Sequence, residues 1–154
     1  MPAFVSVRNG PYRGVSKVLA KRWAERMLRR IELHTAELSV AFTNDGEIHE
    51  LNKVFRAKDR PTDVLAFAMR EGGGPSAQRS DRAPPELLGD VVISVDTARR
   101  QAKQKRRTLE AELIMLLAHG LLHLVGYDHQ TDEEERAMKA KTRELSRAAL
   151  TPRP

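Results

Sequence analysis

The chain of 154 residues is long enough to bury a core of its own, and 40% of its residues are hydrophobic. It carries 27 Lys and Arg against 21 Asp and Glu, and this net charge of +6 favours polyanionic partners such as nucleic acids, although it can also serve solubility alone. The absence of cysteine excludes disulfides and thiolate metal sites, and the longest apolar run, LIMLLA at 113–118, is too short to cross a bilayer.

The first residues, MPAFVSVRNGPYRG, lack the continuous apolar core and the small-residue cleavage site of a secretory signal. We therefore expect a cytoplasmic protein that does not associate with membranes. Its length predicts a single domain over residues 1–154.

The first half of the chain is predicted to alternate helices and strands. Segments in which apolar side chains recur at helical spacing are predicted helices. Segments in which apolar and polar side chains alternate, or in which apolar residues are continuous, are predicted strands. The expected elements are a helix over 17–33 capped by Ser16, a strand over 37–43, a turn at Asn44-Asp45-Gly46, a helix over 47–55, a loop over 56–63 and a strand over 64–69.

The second half opens with a segment rich in Gly, Pro and Ser over residues 71–85, which we expect to be a flexible surface loop. Three helices and one strand follow, each with a recognisable start or stop signal. They are a strand over 87–94, a helix over 95–107 capped by Ser94, a helix over 109–124 capped by Thr108 and stopped by Gly126, and a helix over 132–150 opened by a Thr131–Glu134 capping box. The fold class predicted by this pattern is α+β.

Three of the five histidines lie within eleven residues, in the stretch HGLLHLVGYDH. His119 and His123 are four residues apart and so share one face of a helix, while Gly126 lets the chain turn back to bring His129 to the same point. Three imidazoles suit one Zn²⁺ per chain and leave a fourth position open. His34 and His49 lack such spacing, and we interpret them as surface or boundary residues.

Gly120 and Asp128 decide what this cluster can do. In a zinc protease with the HExxH motif, a glutamate at position 120 would deprotonate water, and glycine cannot do so. Asp128 can accept a hydrogen bond from a ligand imidazole, cap the next segment or bind the metal directly, and we favour the first role.

The histidine stretch resembles the signature of the YbeY family, bacterial metal-dependent endoribonucleases that act in ribosomal RNA maturation. Three other stretches agree in the same order: ELSVAFTND, LNKVFRAKDRPTDVLAF and LLGDVVISVDTARRQA. The resemblance implies a small mixed β-sheet with surrounding helices, and a metal site on a central helix and the turn after it. It also implies a single-stranded RNA substrate and a role with the small ribosomal subunit.

Under this resemblance His119, His123 and His129 fall on the metal ligands and Arg56 on an arginine that matters for activity. A guanidinium can hold a phosphate and stabilise charge developing on it, although Arg56 can instead form a salt bridge to Asp59 or Asp63. Thr62 and Asp63 are interpreted as loop-capping residues that shape the site. Family members commonly read PTDVLSFP where this chain has Ala66 and Ala68 in place of serine and proline.

The run RRQAKQKRR at 99–107 holds six basic residues and no acidic one. We predict that Arg99, Arg100 and Lys103 contact the RNA backbone, while part of the run is solvated surface. A second basic cluster at 21–30 is a weaker candidate. The few aromatic residues argue against a platform that stacks bases.

The sequence therefore predicts a zinc-dependent endoribonuclease that acts in ribosomal RNA maturation and ribosome quality control. Its general base is unassigned; Asp128, a metal hydroxide and the RNA 2′-hydroxyl as nucleophile are all open. One alternative is a metallohydrolase of another class, such as a peptidase. The other is a ribosome-assembly factor without enzymatic activity in which the metal is structural.

Overall fold

The computed structural model describes residues 3–69 and 86–150, so the predicted loop at 71–85 lies outside the described residues. The elements follow the expected order, with one additional strand at the amino terminus. They are β1 (Ala3–Val7), α1 (Lys17–Arg30), β2 (Glu37–Thr43), α2 (Asp45–Arg56), β3 (Val64–Ala68), β4 (Leu87–Ser94), α3 (Val95–Lys105), α4 (Leu109–Leu124) and α5 (Asp132–Leu150).

Side-chain caps fix the starts of the helices as predicted. The hydroxyl groups of Ser16, Ser94 and Thr108 each accept a hydrogen bond from the backbone N–H three residues on. At α5 the Thr131 hydroxyl accepts from the Glu134 N–H at 3.0 Å, and the Glu134 carboxylate accepts from the Thr131 N–H at 3.2 Å. The predicted capping box is confirmed.

Three predicted boundaries were wrong, each for a local reason. α1 ends at Arg30 rather than at residue 33, because Glu32 has a left-handed backbone with φ 59°. α3 likewise ends at Lys105, before Arg106 with φ 56°. The predicted turn at Asn44-Asp45-Gly46 is the start of α2, since the Asn44 side chain accepts the Glu47 N–H at 2.9 Å and caps the helix.

Strand β1 was not predicted. Its five residues pair in parallel with β2, Ala3 beside Leu38 and Val7 beside Phe42. The pairing depends on residues far along the chain, and a short segment alone gives no sign of it.

The sheet has the strand order β1-β2-β4-β3. β1, β2 and β4 are mutually parallel, whereas β3 runs antiparallel to β4. This arrangement, with five helices around it, confirms the predicted α+β fold with a small mixed sheet.

Two apolar clusters hold the helices on opposite faces of the sheet. Val91 and Ile93 of β4 belong to the larger cluster, which joins the sheet to α1, α4 and α5 and also takes in residues of α3. Val92, between them in the strand, belongs to a smaller cluster beneath α2. This alternation along β4 follows from the two-residue period of a strand.

Helix α4 runs through the larger cluster, and ten of its residues are buried. It therefore offers a rigid, central support for side chains at its carboxyl end. Over the two ranges that the structure describes, no helix is both long enough and apolar enough to span a bilayer.

Candidate metal centre

The end of α4 brings the histidines together through a Schellman turn. The Gly126 N–H donates to the His123 carbonyl at 3.1 Å, and the Tyr127 N–H donates to the Leu122 carbonyl at 3.0 Å. Gly126 has φ 106°, a backbone conformation that an L side chain rarely adopts. The predicted stop and reversal are confirmed, and the reversed chain carries His129 back towards the helix.

The three imidazoles form one compact group. The Nε2 atoms of His119 and His123 lie 3.2 Å apart, and the ring of His129 lies 5.4 Å from that of His123 and 6.2 Å from that of His119, between centroids. One nitrogen from each ring can be chosen so that all three lie within 4.8 Å of one another. The grouping that the sequence predicted for these side chains is therefore present.

The electrostatics of the cluster favour neutral rings at His119 and His123. Burial lowers the pKa of His119, and the neighbouring imidazoles lower it further, against an opposing effect of Asp63. Burial also lowers the pKa of His123, as do His129 and the positive charge of Arg56. A neutral imidazole has the free lone pair that a metal ligand needs.

These residues fit a bound metal ion. Two nitrogens bound at about 2.0–2.1 Å to one tetrahedral ion lie about 3.3 Å apart, close to the separation of the His119 and His123 Nε2 atoms. The donor set contains only imidazole nitrogens, which suit zinc and other late first-row metals. The cluster can therefore hold a metal ion with positions left for water or substrate.

Gly120 lies where helix α4 packs directly against the sheet. A Cβ at this position would lie 2.7 Å from Cγ1 of Val91 and 3.3 Å from Cγ2 of Val64. Since Val91 is fully buried, a glutamate side chain does not fit between α4 and the strands. Gly120 supplies no carboxylate to the cavity that it lines, so the base of a HExxH protease is absent.

Arg56, the last residue of α2, lines the same cavity as the three histidines. Its Nη2 donates to the Ala66 carbonyl at 2.6 Å, and its guanidinium lies 5.0 Å from the centre of the Phe67 ring. These contacts hold the charge beside the cavity without neutralising it.

The two carboxylates considered as partners of Arg56 are engaged elsewhere. Asp59 Oδ1 lies 2.7 Å from Nε2 of His49. Asp63 Oδ1 accepts the Val64 N–H at 2.7 Å, and its Oδ2 accepts from Gln101 at 3.2 Å. Among the described residues, Arg56 therefore forms no salt bridge with Asp59 or Asp63. Asp63 keeps the expected loop-shaping role and lines the cavity with Thr62.

Two further cations line this cavity of about 530 Å³, Lys58 and Arg60. The loop that carries them is anchored by Asn52, which is 3% exposed. The side-chain amide of Asn52 donates to the Arg60 carbonyl at 2.8 Å, and its backbone carbonyl accepts the Lys58 N–H at 3.2 Å. Sequence reasoning missed both cations, although they stand directly after Arg56 in the stretch RAKDRPTD. Ala66 and Ala68 line the cavity as well, so their small side chains leave it open.

Asp128 lies beside the cluster, and its charge raises the pKa of His123. Its Oδ1 accepts the backbone N–H of His129 at 2.7 Å, which fixes the turn that carries this histidine. Among the contacts of the described residues, none joins the Asp128 carboxylate to an imidazole nitrogen. The predicted bond to a ligand ring stays a prediction.

The residues predicted to contact RNA on α3 lie away from the histidines. Arg99, Arg100 and Lys103 line a separate shallow depression with Asp45 and Asp96. Arg99 donates to the Arg13 carbonyl at 2.8 Å, and Arg100 pairs with Asp45 at 2.8 Å. Their contact with RNA remains a prediction, and it would lie outside the cavity of the metal centre.

Known proteins are similar to this chain over most of its length. A family model described as Endoribonuclease YbeY matches residues 12–149. Endoribonuclease YbeY of Aquifex aeolicus is 46% identical over 139 residues, which cover 90% of this chain and 85% of that protein. Endoribonuclease YbeY of Bacillus subtilis is 44% identical over 110 residues, covering 71% of this chain and 70% of the relative.

The fold is likewise similar to a solved structure, the solution structure of TM1509 from Thermotoga maritima. The two superpose with a TM-score of 0.64 at 27% identity, covering 96% of this chain and 88% of the other. The chain is therefore similar to known proteins in both sequence and fold over most of its length.

Proposed function

The chain belongs to the YbeY endoribonuclease family, and from that premise we propose that it is a zinc-dependent enzyme that hydrolyses phosphodiesters of single-stranded RNA. The observation that carries the proposal is the meeting of three imidazoles and the cation Arg56 in one cavity. Imidazoles select a transition metal, and an arginine beside them selects a phosphate.

His119, His123 and His129 would hold one zinc ion per chain. When bound there, zinc supplies a Lewis acid and a means of activating water near neutral pH. The residues around it hold this geometry, since the Schellman turn and the Asp128 carboxylate fix the approach of His129. No side chain is assigned as the general base.

Arg56 would clamp the scissile phosphate and stabilise the charge that develops on it. Its guanidinium is fixed by the Ala66 carbonyl and the Phe67 ring, so little side-chain freedom is lost when phosphate binds. Lys58 and Arg60, in the same cavity, would contact neighbouring phosphates.

The resemblance further supports ribosomal RNA maturation and ribosome quality control as the setting, with the small ribosomal subunit as partner and the cytoplasm as location. We propose that residues 1–154 form one catalytic domain. A peptidase of the HExxH class is disfavoured because Gly120 cannot supply the glutamate base of that class.

The test has two parts. Protein purified without a His tag is first analysed for metal, and it is then incubated with defined single-stranded ribosomal RNA. Chelator-treated protein, His123→Ala and Arg56→Ala serve as comparators. We expect about one zinc per chain in the wild type, and cleavage that depends on both the metal and Arg56.

Cleavage that is equal in the wild type and all three comparators would overturn the proposal, because it would come from a contaminant. Peptide release with intact RNA would favour a metallohydrolase of another class. Intact RNA with tight binding to ribosomal particles, unchanged in His123→Ala, would favour an assembly factor.

A further inference from the structure

A second cavity, of about 580 Å³, lies on the other side of the histidine cluster. It shares His119 and His129 with the cavity of Arg56, so the two cavities meet at the metal centre. The first is walled by β3 and the loop after α2, whereas the second is walled by the end of α3, by α4 and by α5. The histidines are thus the point where two clefts join.

Cations line the second cavity as they line the first. Lys105 is the last residue of α3, Arg107 lies in the loop that follows it, and Lys139 and Arg143 come from α5. Glu135 is the acidic residue among its lining side chains, and it pairs with Lys139 at 3.3 Å between exposed atoms, a weak interaction. Four cations against Glu135 and the buried carboxylate of Glu112 leave a net positive charge on these walls, which favours a polyanion.

A buried carboxylate fixes the α3 side of this wall. Glu112 of α4 is 0% exposed, and its carboxylate lies 3.1 Å from Nζ of Lys105 and 3.6 Å from Nε of Arg107. A charge buried in this way needs its partners, so the two cations are held against the cavity rather than left to move through solvent. The wall is therefore preorganised.

Apolar side chains complete the surface between the charged walls. Met115 and the buried Met138 contribute flexible thioether side chains, which adapt to planar groups of different shape. The combination of cations with an apolar floor suits nucleotides, whose phosphates and bases need both kinds of contact.

From this arrangement, and resting on the proposed function, we infer that substrate RNA passes across the metal centre and occupies both cavities. Arg56, Lys58 and Arg60 would hold the strand on one side of the scissile phosphate, and Lys105, Arg107, Lys139 and Arg143 on the other. An enzyme that cuts within a chain must accommodate RNA on both sides of the bond. Two clefts that join at the ligands provide that path.

The test compares RNA binding by metal-free protein, so that no cleavage is needed. Lys139→Ala/Arg143→Ala removes two cations of the second cavity from exposed positions of α5. Lys17→Ala/Lys141→Ala is the matched control, because it makes the same change in net charge outside both cavities; Lys141 pairs with Glu144 instead. Affinity for a fluorescent single-stranded oligonucleotide, long enough to fill both cavities, is measured by anisotropy at several salt concentrations.

Each phosphate contact with single-stranded nucleic acid contributes about 0.7 to the slope of log K against log salt. We expect the slope of Lys139→Ala/Arg143→Ala to fall by about 1.4 relative to the wild type, and that of the control to stay unchanged. A variant with the wild-type slope, or a control that loses as much, would overturn the inference.

The two proposals fail separately. Binding that depends on Lys139 and Arg143 in a protein that cleaves no RNA would retain the second cavity as an RNA site and refute the enzymatic function. Cleavage by the wild type, with an unchanged binding slope in the double variant, would retain the function and refute the path across both cavities.

Discussion

Gly120 lies against Val91 so closely that a Cβ at position 120 would be 2.7 Å from Cγ1 of the valine. At this contact α4 packs directly against the sheet, one residue after His119. The close approach explains how a helix with protease-like histidine spacing lacks the protease glutamate. Position 120 lies against the sheet and also lines the cavity of the histidines, so packing against Val91 limits the size of its side chain.

We predict that Gly120→Ala destabilises the protein by about 1–3 kcal/mol, the usual cost of overpacking a core, although alanine favours a helix. Adding Val91→Ala should relieve the clash, so the double variant should lose less than the sum of the two single changes. Urea unfolding of the four proteins in this cycle measures the coupling. Strict additivity would show that the contact is not the cause.

We predict that Arg56→Ala lowers kcat by about 10²- to 10³-fold, as expected for loss of a group that stabilises developing charge. Arg56→Lys should not restore it, because an ammonium lacks the planar fork that binds the Ala66 carbonyl and a phosphate together. Lys53→Ala is the control, since Lys53 lies on the same helix outside the cavity. Equal losses of kcat in Arg56→Ala and Lys53→Ala would point to a general effect of charge. Thermal melting of each variant checks that it is folded.

The histidine cluster could be anticipated from the sequence because its geometry is local. Helical periodicity places His119 beside His123, and a glycine with positive φ returns the chain within three residues. The helix caps were predicted for the same reason, since a capping side chain bonds to a backbone group only three residues away.

The basic surface could not be anticipated in this way. The sequence run at 99–107 looks uniform, yet Lys105 and Arg107 line a cavity with His119 and His129, whereas Arg99 donates to the Arg13 carbonyl and Arg100 pairs with Asp45. Which of these side chains line the cavity depends on how α3 and the loop after it pack against α4, where Lys105 and Arg107 pair with the buried Glu112. That packing is set by the tertiary structure and not by the local pattern of the run. Strand β1 was missed for the same reason.

We predict that zinc stabilises the folded protein, because the three histidines converge only when α4 and its turn are formed. At a free zinc concentration 100 times Kd, the gain is about 2.7 kcal/mol in the free energy of unfolding. His123→Ala should lose this gain. His49→Ala should keep it, since His49 pairs with Asp59 outside the cluster. The measurement is denaturant unfolding of metal-free protein with and without added zinc. If His123→Ala kept the zinc-dependent increase in free energy of unfolding, the assignment of the ligands would be contradicted.

Asp45 joins the starts of α2 and α3. Its Oδ1 accepts from the hydroxyl groups of Ser94 at 2.5 Å and Thr97 at 2.6 Å, and its Oδ2 accepts from Arg100 at 2.8 Å. Burial alone would raise its pKa, but these three hydrogen bonds and the charge of Arg100 outweigh it, so that the pKa lies below its ordinary value of 3.8. The ionised carboxylate is the form that the fold stabilises.

We predict that Asp45→Asn lowers the free energy of unfolding by about 1.5–3 kcal/mol at neutral pH, the usual contribution of hydrogen bonds to a charged group. A carboxylate with a lowered pKa contributes its full stability above its ordinary pKa and loses it as the pH falls through the folded value. The difference between wild type and Asp45→Asn should therefore stay constant from about pH 7 to about pH 5 and shrink below about pH 4. Glu50→Gln, an exposed change on the same helix, should show little difference from the wild type in urea unfolding at either end of this range. If the difference in free energy of unfolding between wild type and Asp45→Asn persisted in acid, the packing of the side chain at position 45, and not its charge, would be what stabilises the contact between the two helices.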